Sequence, residues 1–285
     1  MTPWRSLPDA PSLAEHTLAE LLDGGQAFRW NRIGDAFEGR WAGQVARLRL
    51  NAGILEYSAP KGSHPLPALR RYLALDTDFD GIVDALPWRC DPVLRRAIEA
   101  FPGLCLLRQP FQETLFAFLC SSTKQIPQIK AICEAVAADL GDPLPDGSHA
   151  LPTWPQLAEA GEARLRAARL GYRARYIHQT ALVLAERPGW FAEVAAEPTA
   201  VARERLLQLP GVGRKIADCV LLFGLARLEA FPVDTWVQKI LVRAYGLEGW
   251  RPEQLRQFAR IHFGPAAGLA QQYLFAAARA GVIAA

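Results

Sequence analysis

A lysine and an aspartate nineteen positions apart could do the chemistry of this 285-residue chain. Lys215 follows the turn Leu209-Pro210-Gly211-Val212-Gly213-Arg214, and Asp234 ends the string Phe231-Pro232-Val233-Asp234. An amine is a nucleophile only when neutral, and the positive end of a helix dipole disfavours the ammonium form in the first turn of a helix. A nearby carboxylate acts the other way, yet it also balances the positive charge that builds on a sugar as a glycosidic bond breaks. Together the two residue types suit covalent attack at a sugar carbon. Taken singly each has an ordinary role. Lys215 could be a surface contact to phosphate. Asp234 precedes the apolar spacing Trp236, Ile240, Leu241, Val242 and Tyr245, which makes it a good N-cap. Lysine is scarce here, with five (61, 124, 130, 215, 239) against 27 arginines, so composition alone would not supply one at 215.

The elements that must position this pair are two helices and a turn. Residues 201–208 and 214–226 carry apolar side chains at helical spacing, and the proline and two glycines between them predict a tight turn, hence a helix-hairpin-helix. Glycine lets the backbone approach another chain closely, and the amides opening the second helix have no partner within it. An anion such as a DNA phosphate fits there. A plain helical connector would use the same short string, so the hairpin acquires meaning only from its context.

Upstream, residues 24–58 read as strands of an antiparallel sheet, with Phe28, Trp30, Phe37, Gly39, Trp41 and Val45 followed by alternating runs at 46–50 and 54–57. Residues 60–67 read as a loop and 68–100 as broken helix. Beyond Phe101 the spacing predicts helices over 111–122, 125–139, 155–169, 173–186, 191–195, 201–208, 214–226, 235–245, 252–262 and 266–280, with 143–155 as the clearest linker.

The chain is long enough for two or three packed units. Apolar residues make up 51%, but charge, Gly or Pro interrupts every run before it reaches the roughly 18 to 20 residues that span a bilayer. No membrane association is expected. The first residues show no basic, apolar and small-residue succession, so the expected location is cytoplasmic, at the nucleoid when acting on DNA. Five cysteines (90, 105, 120, 133, 219) without a C-x-x-C, and five histidines without ligand spacing, predict neither disulfides nor a metal or other cofactor. Net charge is only +3, but residues 101–285 hold 20 basic against 16 acidic side chains. Five arginines (164, 166, 169, 173, 175) crowd twelve positions there, beside Tyr172 and Tyr176. Such a mixture suits phosphate contact and base stacking, or simply a solvated helix face.

Several separated motifs, in order, resemble the 8-oxoguanine DNA glycosylase and lyase family of the helix-hairpin-helix base-excision superfamily. They are GGQAFRW at 24–30, LLRQP at 106–110, LFAFLCSS at 115–122, LGYRARY at 170–176, LPGVGRKIADC at 209–219, FPVD at 231–234 and AQQYLF at 270–275. The resemblance implies a mostly helical α+β fold: an antiparallel sheet domain over 1–100, a helical lobe over 101–200 and a hairpin-bearing catalytic lobe over 201–285 packed on it. It implies removal of 8-oxoguanine flipped out of duplex DNA, with Lys215 attacking C1′, Asp234 assisting, and β-elimination nicking the strand. Gly25 would offer its carbonyl to the N7 hydrogen that guanine lacks. Cys219 and Phe275 would sandwich the ring, and Gln271 would read its Watson-Crick edge. Helical spacing independently places Cys219 on the face of Lys215, although packing in the core would account for Cys219 and Phe275 as well. Tyr172 would wedge into the duplex, Arg173 would meet the widowed base, and the amides of Gly211, Val212 and Gly213 would hold phosphate. A monomer on double-stranded DNA is expected.

The chain departs from the family at three places. Thr123, Lys124 and Gln125 replace a run of asparagines, Gln128 stands where an arginine assists cytosine readout, and Trp236 replaces a phosphate-touching histidine. These departures predict a weaker preference for cytosine opposite the lesion. Two other functions stay open on the residues: a glycosylase for alkylated or other lesions on the same scaffold, and a non-catalytic helix-hairpin-helix DNA-binding protein.

Overall fold

The computed structural model describes residues 1–284. Five strands, β1 (Arg5–Ser6), β2 (Trp30–Ile33), β3 (Ala36–Trp41), β4 (Gln44–Asn51) and β5 (Ile54–Ser58), form one antiparallel sheet in the order β1-β5-β4-β3-β2. Its pivot is Trp30, which is fully buried and lies opposite Gly39 in the register. A Cβ on Gly39 would come within 2.2 Å of the Trp30 ring, so glycine there is what lets the indole lie flat on the neighbouring strand. The ring stacks on Trp41 at 5.6 Å and donates its N–H to the Tyr72 hydroxyl at 3.0 Å, fastening the sheet to the helix beneath it.

Fourteen α-helices occur among the described residues: α1 (Glu15–Asp23), α2 (Leu66–Tyr72), α3 (Phe79–Asp84), α4 (Pro92–Ala100), α5 (Phe111–Cys120), α6 (Ile126–Leu140), α7 (Trp154–Leu165), α8 (Arg173–Ala185), α9 (Trp190–Ala196), α10 (Thr199–Leu207), α11 (Arg214–Leu225), α12 (Thr235–Tyr245), α13 (Pro252–His262) and α14 (Ala267–Arg279). One continuous apolar core runs from the sheet through these helices. Helices α5 and α11 pack closely, and α14 packs on both α4 and α12, which brings chain ends and middle around a shared cleft. No helix among the described residues is long and apolar enough to cross a membrane.

Four expectations change. Residues 24–29 are a loop, not a strand, because Gly25 has φ +109° and the buried Gln26 side chain bonds Cys105 and Leu107 backbone instead of joining the ladder. Helix α1 and the two-residue strand β1 were not anticipated, and α2 begins inside the stretch read as a loop. The 143–155 segment is no free linker. It folds back on itself through Leu144 N–H to Ser148 C=O, and Arg40 pins it to the sheet through Asp146 at 2.8 Å. Finally, α7 stops at Leu165, and the turn 166–170 widens to a π-type turn with Arg169 at φ +68°, which swings the chain so that Tyr172 opens α8.

At the junction of sheet and helices, Glu113 of α5 accepts the Ala42 N–H of the β3–β4 turn at 2.7 Å. Burial pushes its carboxyl up to about 7, against the Ala42 hydrogen bond and Arg29, which pull it down. The folded chain therefore keeps a proton that the unfolded chain releases. That contribution is complete below the usual value of 4.5 and is lost as pH rises through about 7. Since Glu113 borders an open groove, Glu113→Gln is expected to gain only about 1–2 kcal/mol over wild type at pH 8, and none at pH 4. Urea melts across that range measure it. Parallel pH profiles for the two proteins would contradict it.

Candidate active site

The cleft between these elements has a volume of about 790 Å³. The loop at Gly25, the end of α5 with its following turn, the start of α11, the segment 232–236 and the face of α14 all line it. Each of these pieces is placed by a local feature of the sequence. Hairpin residue Gly211 has φ +80°, and a Cβ there would meet the Tyr176 Cβ at 2.7 Å, so the turn sits tight against α8. Gly213 then opens α11 with no side-chain cap, leaving Lys215 in the first turn.

Lys215 Nζ donates to Ser121 Oγ at 3.1 Å and lies 5.4 Å from the Phe118 ring centre. The Ser121 hydroxyl is itself committed, donating to the Phe118 carbonyl at 2.7 Å, so it presents a lone pair to the lysine. Sequence reasoning missed Ser121 as a partner of the lysine. Its position two residues before Thr123, in a motif already noted, was the available hint. Asp234 caps α12, with Oδ1 accepting the Val237 N–H at 2.8 Å, as its context predicted. Asp234 and Lys215 share the cleft without forming an ion pair among the described residues. They are near enough that both act on one thiol. Cys219, one turn after Lys215, is pushed up to about 12 by burial, with Lys215 lowering and Asp234 raising it. That thiol stays neutral near pH 7 and presents an apolar wall to the cleft.

The other walls come from α14 and the Gly25 loop. Gln271 is buried, not solvated, and its Oε1 accepts from Gln272 Nε2 at 2.7 Å. Phe275 borders the cleft with the Arg279 guanidinium 5.7 Å from its ring centre. Arg279 also binds Glu20 at 3.0 Å and the Gly24 carbonyl at 2.8 Å, while Gln109 takes the Gln26 carbonyl at 2.6 Å. Flanked by these two ties, the Gly25 carbonyl accepts no hydrogen bond among the described residues. Neither Gln272 nor Arg279 was singled out from the sequence.

On the rim, Tyr172 is 51% exposed and stands edge-on to Tyr176. Arg173 is buried: it donates to the Ser122 carbonyl and to Thr123 Oγ1 at 2.9 Å, with its guanidinium 4.4 Å from the Tyr172 ring centre. It braces the turn in which Thr123 adopts φ +55°, a conformation that costs a β-branched residue and suits asparagine. Lys124 and Gln125 line the cleft. Gln128 uses its carbonyl to cap α6 at the Gln125 N–H, 3.1 Å away. Of the hairpin amides, that of Val212 is taken by the Leu209 carbonyl at 3.1 Å, whereas those of Gly211 and Gly213 have no partner among the described residues. Trp236 is 46% exposed at the cleft mouth, near Lys239. The five clustered arginines divide: Arg164 pairs with Asp139 and Arg166 with Glu162, Arg173 turns inward, and Arg169 and Arg175 remain on the surface. Among the described residues no group of three or more His, Cys, Asp or Glu could hold a metal ion.

A hairpin lysine and a capping aspartate around one cleft mark the chain as a member of the helix-hairpin-helix enzymes. The chain belongs to the HhH-GPD superfamily of base excision DNA repair proteins, whose model matches residues 116–262, in the branch carrying the 8-oxoguanine DNA glycosylase N-terminal domain, matched over residues 10–115. It is 30% identical over 264 residues to an N-glycosylase/DNA lyase of Saccharomyces cerevisiae, covering 81% of this chain and 69% of that protein. With an N-glycosylase/DNA lyase of Arabidopsis thaliana it shares 32% identity over 238 residues, covering 79% of this chain and 65% of that one. Among solved structures, the Clostridium acetobutylicum 8-oxoguanine glycosylase/lyase, bound to double-stranded DNA with cytosine opposite 8-oxoguanine, superposes with a TM-score of 0.87. The two chains are 29% identical, over 93% of this chain and 92% of that one.

Proposed function

We propose that this chain excises 8-oxoguanine from duplex DNA and then nicks the abasic strand. The observation that carries this reading is the Lys215 amine held in a cleft that a carboxylate and a neutral thiol also line. The extruded base enters between Cys219 and Phe275, with Gln271 at its Watson-Crick edge and its N7–H toward the unoccupied Gly25 carbonyl. Nζ bonds to C1′ as the C1′–N9 bond breaks. The base leaves with the bonding pair and takes up a proton, and Asp234 balances the charge on the sugar. Ring opening yields a Schiff base, and loss of a C2′ proton expels the 3′ phosphate. Outside the cleft, Tyr172 fills the gap in the duplex, the Gly211 and Gly213 amides hold phosphate, and the indole N–H of Trp236 meets another. The chain acts as a monomer at the nucleoid. Borohydride reduction on 8-oxoguanine duplex must trap a covalent adduct; an absent adduct removes the reading.

The partner base is read weakly. Arg173 must leave the Ser122 carbonyl to reach it, Thr123 is engaged by Arg173, and Gln128 is capping a helix. With at most one or two contacts of ~1 kcal/mol each, excision rates opposite C, A, G and T are expected within roughly 30-fold of one another. A spread of about 1,000-fold favouring cytosine, well beyond what two such contacts supply, would refute this.

A further inference from the structure

Two carboxamides, not one, stand side by side in the base pocket. Gln271 and Gln272 are both buried, at 5% and 8% exposure, and both line the cleft. Gln272 Nε2 donates to Gln271 Oε1 at 2.7 Å. A lone glutamine amide can turn end over end, offering either its NH2 group or its carbonyl to a bound base. With Oε1 already accepting from Gln272, Gln271 cannot turn alone without setting two NH2 groups against each other in a buried site; it turns only if Gln272 turns with it.

We infer that Gln272 is a positioning residue that fixes which end of Gln271 faces the base, and so selects a guanine-type over an adenine-type edge. The inference rests on the 8-oxoguanine reading above and deepens it. Held this way round, Gln271 turns its NH2 group to the pocket, where it meets O6, an acceptor. In 8-oxoadenine the same position carries the N6 amino group, a second donor, and the two donors clash. Both lesions keep N7–H and the C8 carbonyl, so the Gly25 contact cannot tell them apart. The Watson-Crick edge alone separates them.

Glutamate at 272 tests the direction. A carboxylate only accepts, so Gln271 must turn to donate to it, which presents Oε1 to the base and favours the N6 amino group. Leucine at 272 frees Gln271 to offer either end. The measurement is the ratio of single-turnover excision rates on 8-oxoguanine and 8-oxoadenine duplexes, each normalised to the same variant's cleavage of a preformed abasic site. Gln272→Leu should lower that ratio on the order of 10-fold, and Gln272→Glu should lower it further or reverse it. Gln272→Lys, a donor like the native residue, should keep the wild-type order. A packing role would slow excision of both lesions alike, so an unchanged ratio in Gln272→Leu and Gln272→Glu overturns the inference. Should the glutamate variant not fold, seen as loss of abasic-site cleavage, the leucine ratio decides. A wild-type chain that forms no Schiff base and excises neither lesion instead overturns the parent reading, and this inference with it.

Discussion

Lys215→Gln is expected to abolish the borohydride-trapped adduct and to slow excision of 8-oxoguanine by about 10,000-fold or more, since it removes the nucleophile itself. Its stability should stay within about 0.5 kcal/mol of wild type, because a glutamine amide can still donate to Ser121 Oγ, the group that holds Lys215 at 3.1 Å. Affinity for lesion duplex should fall only by what one lost cationic charge near phosphate explains. Single-turnover excision, trapping and a melt on the same preparation separate these effects. Wild-type excision by this variant would mean that water, not the amine, attacks the sugar, and the proposed covalent route would fail.

Asp234→Asn should split stability from chemistry. Asparagine caps a helix about as well as aspartate, so the bond to the Val237 N–H at 2.8 Å survives and the melt should not move by more than a few tenths of a kcal/mol. What disappears is the charge proposed to stand beside C1′. Removing a preorganised electrostatic group of this kind slows a reaction by roughly 100- to 1,000-fold. Asp234→Ala removes the cap as well and should add about 1 kcal/mol of destabilisation. If Asp234→Asn excised the lesion at the wild-type rate while Asp234→Ala unfolded early, the carboxylate would be a cap and nothing more.

Much of this site was legible without coordinates, wherever the interaction was local. The hairpin helices fall at Thr199–Leu207 and Arg214–Leu225 against the predicted 201–208 and 214–226, and α12 and α13 begin and end where the spacing placed them. Asp234 caps the helix it precedes because the cap bond spans three residues. Strand β1 was not legible. Two residues carry no period, and Arg5 and Ser6 are strand only because Tyr57 and Glu56 lie alongside. The arginine cluster left two readings open, phosphate contact or a solvated helix face. Arg166 pairs with Glu162 one turn earlier in the chain, whereas the partner of Arg164, Asp139, lies 25 positions away, which charge density along the chain does not show.

By itself, then, the order of residues determined that a lysine opens a helix after a glycine hairpin and that an aspartate caps the next one. Backbone geometry and hydrogen bonding over a few positions dictate both. Only the tertiary structure decided what meets that lysine. Ser121 lies 94 positions before that lysine and Gln271 56 positions after it, and they reach one cleft because α5, α11 and α14 bury their apolar faces in a common core. Hydrophobic burial is non-directional and holds over any sequence separation, so the choice of neighbours belongs to the packed whole. The orientation of Gln271 was settled the same way. Its buried neighbour holds one end of the amide, and adjacency in the chain could not reveal that both side chains turn into the pocket.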